Sequence, residues 1–196
     1  MEKNELTKRA LKEAITGEFT AITKYNHYST QALTDTDRYP NIAHLFKALV
    51  EAEKIHLKNH QNALKEEFAV AAEKFTEGTT LENVSSSVIL EEWEANTMYP
   101  ELRKQIKPEM KKKGEIYGKV AELSFEWAQK VEVTHAEALK LAKIALEAGH
   151  DLDFESIFIC RVCGNLILTP PEKICPVCGH DISFYMKILP VEGDAQ

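Results

Sequence analysis

The sequence predicts an all-α four-helix bundle followed by a small β-rich module. Two observations carry this. Apolar residues recur at helical spacing through most of the first 150 positions. All four cysteines of the 196-residue chain fall between positions 160 and 178, in two matched C-x-x-C-G pairs.

The first helix is expected over 3–35, where Leu6, Ala10, Leu11, Ala14, Ile15, Phe19 and Ile22 share a face. Asp35-Thr36-Asp37 and Pro40 break it. A second helix is expected over 41–75, with Ile42, Leu45, Phe46, Leu49, Ala52, Ile55 and Leu64 on one side. Glu77-Gly78-Thr79-Thr80 reads as a turn leading to an N-cap. The third helix should start near Leu81 and carry Val84, Val88, Trp93 and Met98, with Pro100 kinking or ending it. Pro108 fits the first turn of a fourth helix running through Val120, Leu123, Trp127, Val131, Leu139 and Ile144, with Gly149 as its stop. Short connections favour up-down packing. Beyond His150, Ser156–Leu168 reads as a strand or hairpin, Pro170-Pro171 punctuates it, and Ile182–Leu189 is a second apolar piece. The chain thus divides into 1–150 and 151–196. The second part has too little core to stand without a staple.

Composition excludes several classes. A net charge of -7 argues against a nucleic-acid partner, which needs a basic face. The basic run Lys111-Lys112-Lys113 reads as a solvated helix start. No apolar stretch is long enough to span a membrane, and the charged N-terminus does not read as a signal peptide. Clustered cysteines point to a metal site in a reducing cytoplasm rather than a disulfide scaffold.

A tetrahedral metal needs four thiolates converging from two directions. Cys160-Arg-Val-Cys163-Gly and Cys175-Pro-Val-Cys178-Gly, with eleven residues between, can each present two sulfurs. Gly164 and Gly179 permit the left-handed backbone that brings amides to the sulfurs. Such a site suits zinc or iron. His180 reads as a surface residue.

The helices carry a second constellation. A di-metal carboxylate bundle takes one Glu from each of two helices and Glu-x-x-His from each of the other two. At a spacing of three, Glu and His project from one helix face. The candidates are Glu18, then Glu53 and His56, then Glu91, then Glu132 and His135, with Glu94 as a fifth carboxylate. Glu147 and His150 match the spacing but straddle the helix-ending Gly149, and read as a coincidence. His60 reads as solvent-facing, and His27 and His44 as surface or satisfied core residues. Glu51, Glu92 and Glu126 read as solvated or salt-bridged. Tyr25 and Tyr99 are candidates to donate hydrogen bonds to ligand carboxylates, or else to be core or rim tyrosines.

With these blocks in view, the chain resembles the rubrerythrins along essentially its whole length. The resemblance rests on Gly17-Glu18, Glu51-Ala-Glu53-Lys-Ile-His56, Glu91-Glu-Trp-Glu94 through Met98-Tyr99-Pro100-Glu101, Val131-Glu132-Val-Thr-His135-Ala136, and the closing Cys160–Cys178 segment. It implies a ferritin-like di-iron bundle followed by a rubredoxin-like module holding iron rather than zinc. It implies Glu18, Glu53, Glu91, Glu132 and His135 as constant ligands, with Glu53 and Glu132 bridging. It implies that one iron exchanges Glu94 for His56 on reduction, and that Tyr25 and Tyr99 serve the ligand carboxylates. It implies peroxidase activity linked to NAD(P)H through a separate reductase or redox carrier. It implies a homodimer in which the thiolate-bound iron of one subunit sits near the di-iron site of the other. Two departures bear on the donor and its docking surface: Phe-Thr-Ala-Ile-Thr-Lys-Tyr after Glu18, where many members are richer in Arg, and the segment His180-Asp-Ile-Ser-Phe.

The expectation is reduction of hydrogen peroxide to water. The same di-iron site could instead reduce oxygen or act as a ferroxidase, and a zinc-ribbon adaptor on a structural bundle is a non-enzymatic alternative.

Overall fold

The computed structural model describes residues 4–35, 38–111 and 116–190. Its bundle consists of α1 (Glu5–Thr34), α2 (Pro40–Leu64), α3 (Thr80–Trp93), α4 (Tyr99–Met110) and α5 (Tyr117–Glu147). A π-helical stretch, Glu94–Met98, joins α3 to α4, so these two form one rod and the bundle has four. A small sheet follows, β1 (Ile157–Cys160), β2 (Leu166–Ile167) and β3 (Tyr185–Ile188), antiparallel in the order β2-β1-β3.

The third rod starts where the sequence said it should. Thr79 is its N-cap, and its side chain and that of Glu82 form a reciprocal capping box. Gly149 has φ +80, and α5 stops two residues before it. Three boundaries differ from expectation. α2 ends at Leu64 rather than near 75, with Lys65 left-handed at φ 58. Residues 66–79 then cross α1 without regular structure. Phe68 and Val70 pack on one apolar cluster and Phe75 on the other. Thr20 Oγ1 accepts from Glu73 N at 3.0 Å, and Tyr28 donates to Thr76 O at 2.9 Å. Tertiary packing overrides the helix propensity of this Glu- and Ala-rich stretch.

Pro108 does not open the fourth rod but lies in the last turns of α4. That turn is held because the neighbouring Glu109 is buried and accepts from Leu6 N and Thr7 N, capping α1. Pro100 follows the π stretch and sits in the first turn of α4, where its missing N–H costs little. Thr36, Asp37, Lys112 and Lys113 lie outside the described residues.

Two apolar clusters fill the bundle. One joins Tyr25–Ala32, Ile42–Ala52, Val84 and Leu139 to the sheet residues Ile157, Ile159 and Ile188. The other joins Ala10–Ile15, Leu64, Leu102, Ile106 and Phe125. Glu18, Glu53, His56, Glu91, Glu94, Glu132 and His135 fall between them along every rod, as a polar layer that is almost wholly buried. Val120, Leu123 and Ile144, apolar positions of the fourth expected helix, are exposed on α5, and Trp93 is 48% exposed.

Candidate metal centres

The polar layer is built one contribution per rod. Its nearest ligand atoms form two sets of four, each with all atoms within 4.8 Å of one another: Glu18, Glu53, His56 and Glu132, and Glu53, Glu91, Glu132 and His135. Glu53 and Glu132 belong to both. The π stretch follows directly on α3 and begins with Glu94, whose carboxyl stands outside both sets. His56, by contrast, is inside one.

The chemistry of this layer calls for cations. His56 Nε2 lies 3.0 Å from Cys163 O and His135 Nε2 lies 3.4 Å from Gly164 O. A carbonyl can only accept, so both rings place a proton on Nε2. The Nδ1 atoms then face carboxylates. His56 Nδ1 is 2.8 Å from Glu53 and 3.0 Å from Glu132, and His135 Nδ1 is 2.9 Å from Glu132 and 3.1 Å from Glu53. Despite these approaches, both Nδ1 atoms, both oxygens of Glu53 and Glu132, and one oxygen each of Glu18, Glu91 and Glu94 make no hydrogen bond while buried. Buried carboxylates aimed at each other are costly unless protons or metal ions stand between them. The donor set, carboxylates with imidazole, suits two iron ions.

The metal-free chain shows the strain as displaced acidities. Burial, with the nearby Glu53 carboxylate, pushes Glu91 up to about 8. Burial and neighbouring carboxylates also push Glu94 well above its usual value and raise Glu53. For Glu18 burial acts upward but is outweighed by His56 and His60, which hold it low. His56 and His135 are raised well above the usual imidazole value, the surrounding carboxylates overcoming burial. Tyr25 donates to Glu91 Oε1 and Tyr99 to Glu18 Oε1, and both rings are fully buried. The outer oxygens of these carboxylates are thereby tied off.

His60 is where the sequence reading fails. It is fully buried, not solvent-facing, and contacts Tyr99, Ser124 and Glu18. A signal was present: Glu53, His56 and His60 lie at i, i+3 and i+7, one stripe of one helix. His44 is a satisfied core residue bonded to Ile188 O, and His27 pairs at the surface with Glu77. Glu51, Glu92 and Glu126 pair with Lys54, Lys140 and Lys130. Glu147 and His150 are exposed.

A cleft of about 450 Å³ opens beside the layer, lined among others by Gly17, Lys24, Phe75, Trp93, Glu94 and Met98. An added Cβ at Gly17 would stand 3.8 Å from Glu94 Oε1 and 3.9 Å from Met98 Sδ.

The second centre is local. Cys160, Cys163, Cys175 and Cys178 converge with their sulfurs within 4.8 Å of one another, and all four are free thiols. Gly164 at φ +87 and Gly179 at φ +74 donate back to Cys160 O and Cys175 O. Burial pushes Cys178 up to about 12, whereas hydrogen bonding from Cys163 pulls Cys160 down to about 5. Four thiols at this spacing fit one tetrahedral ion. His180 is half-buried rather than a free surface residue, its ring edge-on to Trp127 and Phe184.

This knuckle rests on the bundle of its own chain. Besides the two histidines, Asn59 donates to Val162 O at 2.9 Å, and Val131 and Trp127 pack against the cysteines. Any Cβ at Gly164 would come within 2.7 Å of His56 Nε2, so only glycine permits the approach. Within this chain the knuckle thus meets the carboxylate layer at His56 and His135.

A ferritin-like bundle with a buried carboxylate-histidine layer, closed by a four-cysteine knuckle, defines a di-iron protein with an attached one-electron centre. Comparison gives the family. A family model described as Rubrerythrin matches residues 9–143. Rubrerythrin-2 of Clostridium acetobutylicum is 32% identical over 181 residues, spanning 90% of this chain and 94% of that protein. Solved structures of nigerythrin in a mixed-valence state and in a fully reduced, all-ferrous state superpose with TM-scores of 0.79 and 0.77, at 25% and 26% identity, each covering 92% of this chain and 86% of theirs. The chain belongs to the rubrerythrin family, whose members are di-iron oxidoreductases of oxidative stress served by electron donors such as rubredoxin-like carriers. It carries that family's di-iron carboxylate site and four-cysteine iron site. Among the described residues no helix is long and apolar enough to cross a membrane.

Proposed function

We propose that this chain is a peroxidase that reduces hydrogen peroxide to two waters, consuming two electrons and two protons. The electrons come from NAD(P)H through a separate reductase or carrier, enter at the four-cysteine iron and leave at the iron pair. The bound iron pair supplies the two electrons that break the O–O bond. Glu18, Glu53, His56, Glu91, Glu132 and His135 would hold the pair, Glu53 and Glu132 belonging to both sets of ligand atoms. Glu94, which lines the cleft, would be the exchangeable carboxylate. Cys160, Cys163, Cys175 and Cys178 hold the third iron.

One observation carries this reading. The peptide carbonyls of Cys163 and Gly164 accept from the outer nitrogens of His56 and His135. Two metal sites joined by single hydrogen bonds form a relay, a link that an iron-storage bundle has no use for. The rest of the chain divides the labour. Residues 1–150 bind peroxide and exclude water, and residues 151–196 deliver electrons. The cleft over Glu94 admits the small oxidant, and Lys24 at its wall offsets the negative charge there. The exposed apolar residues Val133, Leu141 and Ile144 on α5 favour pairing into a homodimer.

The test is a visible spectrum with metal counting on anaerobically purified, iron-loaded protein, before and after one equivalent of peroxide. Three irons per chain and prompt recovery of thiolate-to-iron colour by the reduced protein are expected. A colourless protein holding one zinc and no iron would overturn the reading. Recovery of colour only with dioxygen would transfer the site to oxygen reduction.

A further inference from the structure

His60 has no role in that scheme. His60, Tyr99, Ser124 and Glu18 come from α2, α4, α5 and α1, and all are buried. Tyr99 Oη lies 3.0 Å from His60 Nε2, and Ser124 Oγ lies 2.5 Å from His60 Nδ1. His60 Nε2 is also 3.4 Å from Glu18 Oε1, the oxygen to which Tyr99 donates.

The directions of the two Tyr99 bonds are determined. Glu18 Oε1 can only accept, so the single hydroxyl proton of Tyr99 is committed to it. The Tyr99 oxygen must then accept from His60, which requires a proton on Nε2 whatever the state of Nδ1. Ser124 holds the other edge of the ring, and Phe125 packs 5.3 Å from it. His60 is therefore clamped with one N–H aimed at the phenol. Glu18 Oε1 is tied off, and Glu18 Oε2, buried and without a hydrogen bond, faces His56 Nδ1 at 3.8 Å.

We propose that His60 is a positioning residue for the iron pair, acting through Tyr99 to hold Glu18 as a one-oxygen ligand. This rests on the carboxylate layer binding iron as set out above. The donated N–H polarises the phenol, which draws charge from Glu18 and from the ion it holds. Removing that donor leaves more charge on Glu18, which favours the ferric state and lowers the potential of the iron pair.

The experiment is a redox titration of the iron-loaded full chain, following the mixed-valence EPR signal of the pair and the visible band of the four-cysteine iron together. His60→Leu should shift the pair's midpoint downward and leave the four-cysteine midpoint unmoved. His60→Gln, which returns an N–H to this position, should recover most of the shift. Ser124→Ala, which loosens the ring but keeps its N–H, should give a smaller shift of the same sign. The inference is overturned if His60→Leu leaves the pair's midpoint unchanged at full iron loading, or if the Leu and Gln variants shift alike. Should His60→Leu fail to fold, an unmoved midpoint in Ser124→Ala overturns it. A wild-type chain that takes up no iron pair fails differently, sinking the underlying reading and this inference with it.

Discussion

The two metal centres of this chain are made in opposite ways. The four cysteines lie within nineteen consecutive positions, and two tight turns bring them together. The carboxylate layer draws on positions from 18 to 135, and no two of its four rods can form it alone. The first centre is a property of local backbone. The second is a property of the packed bundle, and it divides the core into two apolar clusters. A local site can be lost without the fold, whereas the layer and the fold constrain each other.

The sharpest way to break this comparison is to delete one ligand from each centre. Cys163→Ser should abolish the thiolate-to-iron bands and reduce donor-fed peroxide turnover to background, with the helical circular dichroism unchanged. Glu53→Ala, which removes a carboxylate common to both sets, should lose both irons of the pair yet keep the thiolate colour. If Cys163→Ser also empties the pair, the centres are not independent.

The next effect is on stability. Glu91 in the metal-free fold keeps its proton up to about pH 8, whereas in the unfolded chain it loses it near the usual 4.5. The folded state then binds more protons across that window, so the metal-free protein should lose stability as pH rises through it. Glu94, His56 and His135 are displaced in the same direction. Thermal melts from pH 5 to 8 should fall steadily without metal and stay flat with iron, because the ions replace the protons. A flat metal-free profile would show the layer to be relaxed rather than strained.

Gly164→Ala sharpens the point of contact. A side chain there meets His56 Nε2 and must also adopt φ +87, at a cost of about 1–3 kcal/mol. Internal electron transfer from the four-cysteine iron to the pair, followed by stopped-flow absorbance, should slow while both centres stay loaded. The smallest effect is expected at Gly17→Leu, which fills the cleft over Glu94. It should raise KM for peroxide several-fold with kcat little changed. An unchanged KM would place the entry route elsewhere.

How far the sequence could be read follows the same division. Glu-x-x-His on two helices and lone glutamates on the others announced the layer, because i,i+3 spacing is a local fact. The N-cap turn at Glu77–Thr80 and the stop at Gly149 were legible for the same reason. Pro108 was misread because its turn is held by Glu109 reaching to the start of α1, about a hundred residues away. Residues 65–75 were misread because Phe68, Val70 and Phe75 leave the helix to cover two separate clusters. Asp151 likewise caps α2 through Asn41 N and Ile42 N, a pairing no local pattern signals.

By itself, then, the sequence determined the centres' chemistry: which residues could bind metal, on which helix face, and with what geometry at the cysteine turns. Only the tertiary structure decided that His56 joins one set of converging ligand atoms and Glu94 neither, that His60 is buried against Tyr99, and that the knuckle rests on His56 and His135 of its own chain. The physical reason is range. Backbone periodicity fixes which side chains share a face, but what fills the space opposite depends on residues a hundred positions away. Burial then compels each polar atom brought there to find a partner.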